Sequence, residues 1–255
     1  MSEVQDHLQQ GPHTTPDHDE DTPTRPGYPL GVPSKFDPEG NVQPFPGNTV
    51  IAHLPPMSHL YNDMVELHAK LAAHPTLSSL IVLLPPESWH MTIFEGVCDQ
   101  VRDAPGFWPS DVSQTAPLAD VNALLAQRLA PGTFDLQEHY DQGPPYVMTV
   151  KGFSPLIVGI GLHVEPISQT EGRRLKALRD RLADTLKIRH PHHDYYELHL
   201  SVAYLLRHLT PRQEAELTAL LEFHYVTMSK HFLLGPPEFC TFKDMFKFER
   251  KFYLQ

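Results

Sequence analysis

The chain has 255 residues, of which 40% are hydrophobic, and its 20 basic and 31 acidic side chains give a formal net charge of −11. This length is enough for one large domain or two small ones with a real hydrophobic core. The charge balance argues against a protein that grips long nucleic acid through its phosphates, although it allows a small anionic substrate.

The two cysteines cannot form a disulfide framework, and no apolar run approaches the roughly 18 residues that a membrane span requires. The N-terminus lacks the basic start and the apolar stretch of a signal peptide. We therefore expect a cytoplasmic protein without membrane contact, and we expect it to be a monomer.

Residues 1–27 are acidic and rich in proline and histidine, with hardly an aliphatic side chain, and this composition predicts a disordered tail. Residues 28–255 are predicted to form a single bilobal domain, with lobe one at about 46–130 and lobe two at about 146–250. The segment 28–46 contains Tyr28, Phe36 and Phe45, which predicts an ordered wrap over the domain with a turn at 37–40.

Strand and helix patterns then alternate twice along the chain. In the first half the predicted elements are a strand at 48–53, a helix at 58–73, strands at 80–84 and 89–94, and a helix at 118–129. In the second half they are a strand at 156–162, a helix at 171–186, a strand at 195–206, a helix that begins with Thr210 as N-cap, and a closing hairpin at 232–248. This repeated order indicates an internal duplication.

The chemical signal is a histidine followed two residues later by a hydroxyl, in His90-Met91-Thr92 and in His199-Leu200-Ser201. Five such tripeptides occur in this histidine-rich chain, but only these two lie inside predicted strands, at matching places in the two halves. Side chains two apart on a strand share a face and stand about 6.5–7 Å apart. Each strand therefore presents an imidazole beside a hydroxyl.

Two such strands facing each other across a cleft would suit in-line attack at a phosphodiester. One imidazole can take a proton from the incoming oxygen while the other gives a proton to the leaving oxygen. The two hydroxyls can donate hydrogen bonds to the non-bridging oxygens, so the chemistry requires no metal or other cofactor. The residues leave open which histidine is the acid and which is the base.

Paired strands of this kind resemble the two-histidine (2H) phosphoesterase superfamily, which includes the LigT-like cyclic phosphodiesterases. Segments such as Lys35–Gly40, Phe45–Thr49 and Leu84-Pro85-Pro86 are similar to a branch catalogued as a domain of unknown function. The resemblance implies an α+β, bilobal, pseudo-twofold duplicated fold, with two antiparallel-rich sheets forming a concave cleft and helices outside. It also implies His90 and His199 as the catalytic pair, Thr92 and Ser201 as phosphate-binding hydroxyls, and a cyclic phosphate, small nucleotide or RNA end as substrate.

Other residues are candidates for additional substrate contacts. Strand parity places Phe94 on the face of His90, where it could stack on a base, and places Tyr204 on the face opposite His199 unless a bulge intervenes. The cations considered for phosphate contact are Lys35, Arg102 and Lys243.

Two other functions remain open from the residues alone. The cluster His190–Asp194 has the density of a metal site and would support a metal-dependent hydrolase. A module that keeps the fold and binds a phosphorylated ligand without turning it over is the other alternative.

Overall fold

The computed structural model describes residues 27–136 and 144–255, so the predicted tail, except for its last residue, lies outside the described residues. Within these ranges the chain is an α+β structure in which nine strands and four α-helices alternate. In chain order they are β1 (Gly47–His53), α1 (His59–Ala72), β2 (Ile81–Leu83), β3 (His90–Cys98), α2 (Leu118–Arg128), β4 (Tyr146–Phe153), β5 (Gly159–Pro166), α3 (Gln169–Leu186), β6 (His199–Leu205), α4 (Pro211–Thr227), β7 (His231–Leu234), β8 (Glu238–Phe242) and β9 (Phe248–Tyr253). No helix of the described ranges combines the length and the apolar composition that crossing a membrane requires.

The described strands form one antiparallel sheet in the order β7-β4-β5-β6-β3-β1-β8-β9, with β2 also paired to β6. The two predicted sheets are therefore halves of a single sheet, joined where Met91 of β3 pairs with Leu200 of β6. Strand β2 pairs with the far end of β6, so that β2 and β3 lie end to end along the same edge of β6. The hairpin β8–β9 pairs with β1 and extends the first half, although most of its residues fall within the range predicted for lobe two.

The helices bury the apolar faces that their periodicity predicts. The buried positions are Leu60, Met64, Leu67 and Leu71 on α1, and Leu175, Leu178, Leu182 and Leu186 on α3. Burial of each such side chain contributes about 1.5–3 kcal/mol of transfer free energy. The predicted start of α4 is confirmed, because the Thr210 hydroxyl accepts a hydrogen bond from the Gln213 amide (3.3 Å) and the Gln213 side chain accepts one from the Thr210 amide (2.9 Å).

Several strands differ from the sequence prediction. The strand predicted at 195–206 begins only at His199. The predicted closing hairpin at 232–248 is wrong, because β7 pairs with β4 and the hairpin is formed by β8 and β9. The apolar run 156–162 starts in a turn after Pro155, where Ile157 is 62% exposed, and β5 extends from Gly159 to Pro166 instead. Its hairpin partner β4 was not predicted at all. Tyr146, Met148 and Val150 of β4 are buried at every second position, which is the pattern of a half-buried strand.

Residues 28–46, which we call the strap, are ordered and lie over one end of the sheet. Its turn is closed by a hydrogen bond from the Gly40 amide to the Asp37 carbonyl (3.0 Å). Phe36 anchors the strap because its ring is fully buried and lies 5.1 Å from the ring of Tyr204 and 5.7 Å from that of Phe246. The strap is therefore part of the packed structure.

Candidate active site

The two histidine-containing strands meet at their N-terminal ends. Because β3 and β6 are antiparallel and Met91 is paired with Leu200, His90 lies alongside Ser201 and Thr92 lies alongside His199. Met91 and Leu200 point into the core and are fully buried, so the imidazoles and hydroxyls occupy the opposite face. The structure thus brings the four predicted site residues together, with each histidine next to the hydroxyl of the other strand.

The two imidazoles are oriented in the same way. Nδ1 of His90 lies 2.6 Å from the Ser88 carbonyl oxygen, and Nδ1 of His199 lies 3.1 Å from the Glu197 carbonyl oxygen. A carbonyl oxygen only accepts, so Nδ1 carries the proton in each ring. In the neutral form Nε2 is then left as a proton acceptor on both histidines.

A β-bulge follows the hydroxyl in both strands. On β3 the partners of Val50 and Ile51 are Phe94 and Thr92, which leaves Ile93 as an extra residue. On β6 the partners of Ile160 and Gly161 are Ala203 and Ser201, which leaves Val202 as the extra residue. A bulge shifts the alternation of side chains by one position.

This shift decides which residues share the face of the histidines. The prediction that Phe94 lies on that face was wrong: Phe94 is fully buried on the other side, packed against His190 and His193. Glu95 takes its place on the histidine face, and Tyr204 takes the equivalent place on β6. The prediction from strand parity that Tyr204 lies opposite His199 was therefore wrong as well, because the bulge at Val202 intervenes.

The histidine face lines a cavity of about 530 Å³, which is large enough for a small ligand. Its walls come from both motif strands, from the strap and from the C-terminal hairpin region. The lining residues include His90, Thr92, Glu95, His199, Ser201, Tyr204, Lys35, Phe45, Tyr196 and Phe248.

The imidazole of His90 is held in an apolar corner of this cavity. Its ring centroid lies 4.2 Å from that of Phe248 and 6.1 Å from that of His53. Burial lowers the pKa of His90 to about 4, and the neighbouring His53 and His199 act in the same direction. His90 is therefore neutral near pH 7 and can accept a proton.

Tyr196 is a site residue that the sequence reasoning missed. It lies three residues before His199, it lines the same cavity as Thr92, and its ring is 6.3 Å from that of His199. The guanidinium of the buried Arg179 lies 4.2 Å from the centre of the Tyr196 ring. Burial raises the pKa of Tyr196, so the phenol stays protonated. The only signal in the sequence was an aromatic residue at the start of the predicted strand.

A histidine–carboxylate pair, His53 and Glu238, lies beside His90. Nδ1 of His53 lies 2.5 Å from Oε1 of Glu238, a carboxylate that is 2% exposed and also contacts Arg250 at 3.3 Å. Burial would raise the pKa of Glu238, but the hydrogen bond and the charge of His53 outweigh it and lower that pKa. Together with Cys240, these two side chains could in principle hold a metal ion, because their ligand atoms lie within 4.8 Å of one another.

The cluster His190–Asp194 does not converge on one point. His190 packs 4.6 Å from the ring of Phe107, whereas Nε2 of His193 binds Asp180 of α3 at 2.8 Å. Asp194 forms ion pairs with Arg189 at 3.1 Å and with Lys176 at 3.3 Å. Around this cluster, the described side chains close enough to share an ion are those of Asp180, His193 and Asp194, and Lys176 and Arg189 already pair with the two carboxylates.

The cations named as candidates have different positions. Lys35 lines the cavity, whereas Arg102 stacks on Trp108 at 4.4 Å and donates to the Ala116 carbonyl at 3.1 Å. Lys243 is not among the lining residues, and its backbone carbonyl accepts a hydrogen bond from the Phe45 amide. Of these three cations, only Lys35 is placed to meet a ligand.

Several solved structures are similar to this chain. The chain is similar over 92% of its length to 96% of a conserved protein of unknown function, ATU0111, from Agrobacterium tumefaciens, with 27% identity and a TM-score of 0.77. Weaker likenesses are to TT0787 of Thermus thermophilus (15% identity, 76% and 86% of the two chains, TM-score 0.38) and to LigT of E. coli (12% identity, 78% and 88%, TM-score 0.40). No curated protein matches the chain. The fold assignment therefore rests on the Agrobacterium structure.

A family model matches the part of the chain that contains the first histidine strand. Residues 35–155 match the family model described as 2H-phosphodiest, Domain of unknown function (DUF1868). The matched segment, which is just under half of the chain, carries His90 and Thr92 and is similar to this family. The second motif, His199–Ser201, lies outside the matched residues and is linked to the first by the pairing of β3 with β6.

Proposed function

We propose that this protein is a metal-independent phosphodiesterase that opens a cyclic phosphate or cleaves a small nucleotide phosphodiester. The observation that carries the proposal is the junction of β3 and β6. Two imidazoles with matched orientation and two hydroxyls line one cavity there, each imidazole beside the hydroxyl of the other strand.

In this mechanism His90 is the general base and His199 is the general acid. The lowered pKa of His90 supports this choice, because His90 holds no proton at neutral pH and has a free Nε2. His90 removes a proton from water as the water oxygen bonds to phosphorus. His199 gives a proton to the oxygen whose bond to phosphorus breaks, so a diester and water yield a phosphomonoester and an alcohol. Proton exchange with solvent then restores both histidines.

The hydroxyls of Thr92 and Ser201 donate hydrogen bonds to the non-bridging oxygens, where negative charge must be stabilised. A small substrate is favoured because the cavity, whose wall includes Lys35 and Phe45 of the strap, has a volume of about 530 Å³. A monomer would hold a complete site, because both motif strands belong to one chain.

The test is product analysis on a panel of cyclic and linear substrates in the presence of EDTA. The panel holds 2′,3′-cyclic mononucleotides, ADP-ribose 1″,2″-cyclic phosphate and short 2′–5′ and 3′–5′ oligonucleotides. The wild type is compared with His90→Ala and His199→Ala. His74→Ala is the matched control, because His74 also precedes a hydroxyl by two residues but lies at a helix end, hydrogen-bonded to Thr76.

We expect turnover in EDTA by the wild type and by His74→Ala, and a loss of about 10²–10⁴-fold or more in each site variant. Activity that survives His90→Ala or His199→Ala would refute the mechanism. Activity only after metal is restored would favour the metal-dependent hydrolase, and tight binding of the panel without product would favour the non-catalytic module.

A further inference from the structure

The cavity continues beyond the histidines and hydroxyls to a part that the proposed chemistry does not use. After each bulge, the next side chain on the histidine face is Glu95 on β3 and Tyr204 on β6. They lie three positions after Thr92 and Ser201, so the duplicated strands present them at equivalent places. The strap adds Lys35 and Phe45 to the same part of the cavity.

The ammonium of Lys35 is held in a defined position. Its Nζ donates a hydrogen bond to the Tyr204 hydroxyl at 3.2 Å and lies 5.1 Å from the ring centres of both Tyr204 and Phe45. Burial lowers the pKa of Lys35, but Tyr204, Cys98 and Glu95 outweigh this effect and raise that pKa, so the side chain stays charged. A fixed ammonium between two rings is a donor with a set direction.

The carboxylate of Glu95 is exposed to the cavity and offers acceptors. In the described ranges, 27–136 and 144–255, no group donates a hydrogen bond to it. Glu95 contributes to the raised pKa of Lys35, so the two opposite charges interact. This end of the cavity therefore combines a donor, an acceptor and aromatic walls.

The strap holds its side of this region firmly. Gly31 has a φ of +108°, and a Cβ there would lie 3.3 Å from the Tyr204 ring, so a glycine allows the strap to approach closely. The Lys35 amide donates to the Gly31 carbonyl at 2.7 Å, and Phe36 is anchored in the core. Lys35 is thus built into the cavity wall.

We propose that Lys35, Glu95 and Tyr204 form a subsite for a neutral, planar, hydrogen-bonding group, namely the nucleobase of the substrate, while the phosphate lies at the two histidines. This inference rests on the proposed function for the position of the phosphate. A second phosphate would meet the Glu95 carboxylate, whereas a base can accept from Lys35 and donate to Glu95. The substrate class is then a nucleoside cyclic phosphate with no further anionic group at this end.

The experiment compares substrates that carry a nucleobase with a cyclic phosphate that carries none. Initial rates of the full chain are measured on 2′,3′-cyclic mononucleotides with each of the four bases and on glycerol 1,2-cyclic phosphate. The variants are Lys35→Met, which keeps most of the apolar stem, and Glu95→Gln, which keeps the shape. Lys243→Met is the control, since Lys243 does not line the cavity. Thermal unfolding checks that each variant is folded.

We expect the wild type to prefer at least one cyclic mononucleotide to the glycerol compound by tenfold or more in kcat/KM. Each subsite variant should lose about 10- to 100-fold on that nucleotide, the range of one hydrogen bond to a charged group, and stay within about twofold on glycerol cyclic phosphate. The control should change neither. Equal losses on both substrates, or no loss on either, would overturn the subsite.

If the wild type turns over neither substrate, the proposed function fails and the subsite is tested by binding. Calorimetry with a nucleoside 2′-monophosphate and with glycerol phosphate uses the same variants. A nucleotide preference of tenfold or more that Glu95→Gln and Lys35→Met abolish would support the subsite. Equal affinity for the two ligands, or a preference that survives both substitutions, would overturn it.

Discussion

Replacement of Phe248 by alanine is expected to raise the pKa of His90 and to move the acidic limb of the pH–rate profile. The ring of Phe248 lies 4.2 Å from the imidazole and excludes water from it, and burial is the main cause of the low pKa of about 4. A base with that pKa is about 97% neutral at pH 5.5, whereas one at the reference value of about 6.5 is only about 9% neutral. The wild type should therefore keep kcat/KM down to about pH 5.

The effect on the rate can be estimated for a His90 ring that Phe248→Ala exposes to water on one face. If the truncation returns about one unit to the pKa of His90, the neutral fraction at pH 4.5 falls about threefold. The assay is kcat/KM between pH 4 and 8, with fluorescence to confirm that the protein stays folded. Phe252→Ala is the matched control, because Phe252 lies on the same strand but stacks on Phe239 at 5.6 Å and does not line the cavity. An acidic limb of the wild type near pH 6.5, or one that Phe248→Ala leaves in place, would refute the assignment of His90 as the base.

Three further predictions concern the hydroxyls, the strap and pH-dependent stability. Ser201→Ala and Thr92→Val should each lower kcat by about 10²–10³ with little change in the melting temperature, and a normal kcat in either variant would exclude that hydroxyl from charge stabilisation. Phe36→Ala should lower the unfolding free energy by about 3–5 kcal/mol in urea titrations. Leu30→Ala on the same strap should change it by less than about 0.5 kcal/mol, because the Leu30 side chain is 75% exposed. Similar values for the two variants would contradict the anchoring role of Phe36. Burial lowers the pKa values of His90 and His190 to about 4 in the folded state, so the unfolded chain binds more protons between about pH 6.5 and 4 and stability must fall as pH decreases through that window. At pH 5 the loss of unfolding free energy is about 1–2 kcal/mol per histidine. The test is the change in unfolding free energy between pH 7.5 and 5, which should be smaller in a His190→Phe variant than in the wild type. An equal change in both would disprove the contribution of His190.

Much of the fold could be predicted because its signals are local. The apolar faces of α1 and α3 recur every three or four residues, and the N-cap at Thr210 is visible in four consecutive residues. The two histidine–hydroxyl strands stood out from the other matches because each lies in a strand-like segment. What escaped prediction was β4, whose alternating pattern is short and follows two consecutive prolines.

The sequence by itself determined that His90 shares a face with Thr92, and His199 with Ser201, because alternation over two residues of a strand depends only on the local backbone. The tertiary structure alone decided what stands next to them. The bulges at Ile93 and Val202 are set by register with β1 and β5, which are distant in the chain. Cross-strand register moved Phe94 into the core and brought Glu95 and Tyr204 into the cavity, because one extra residue reverses every side chain that follows it.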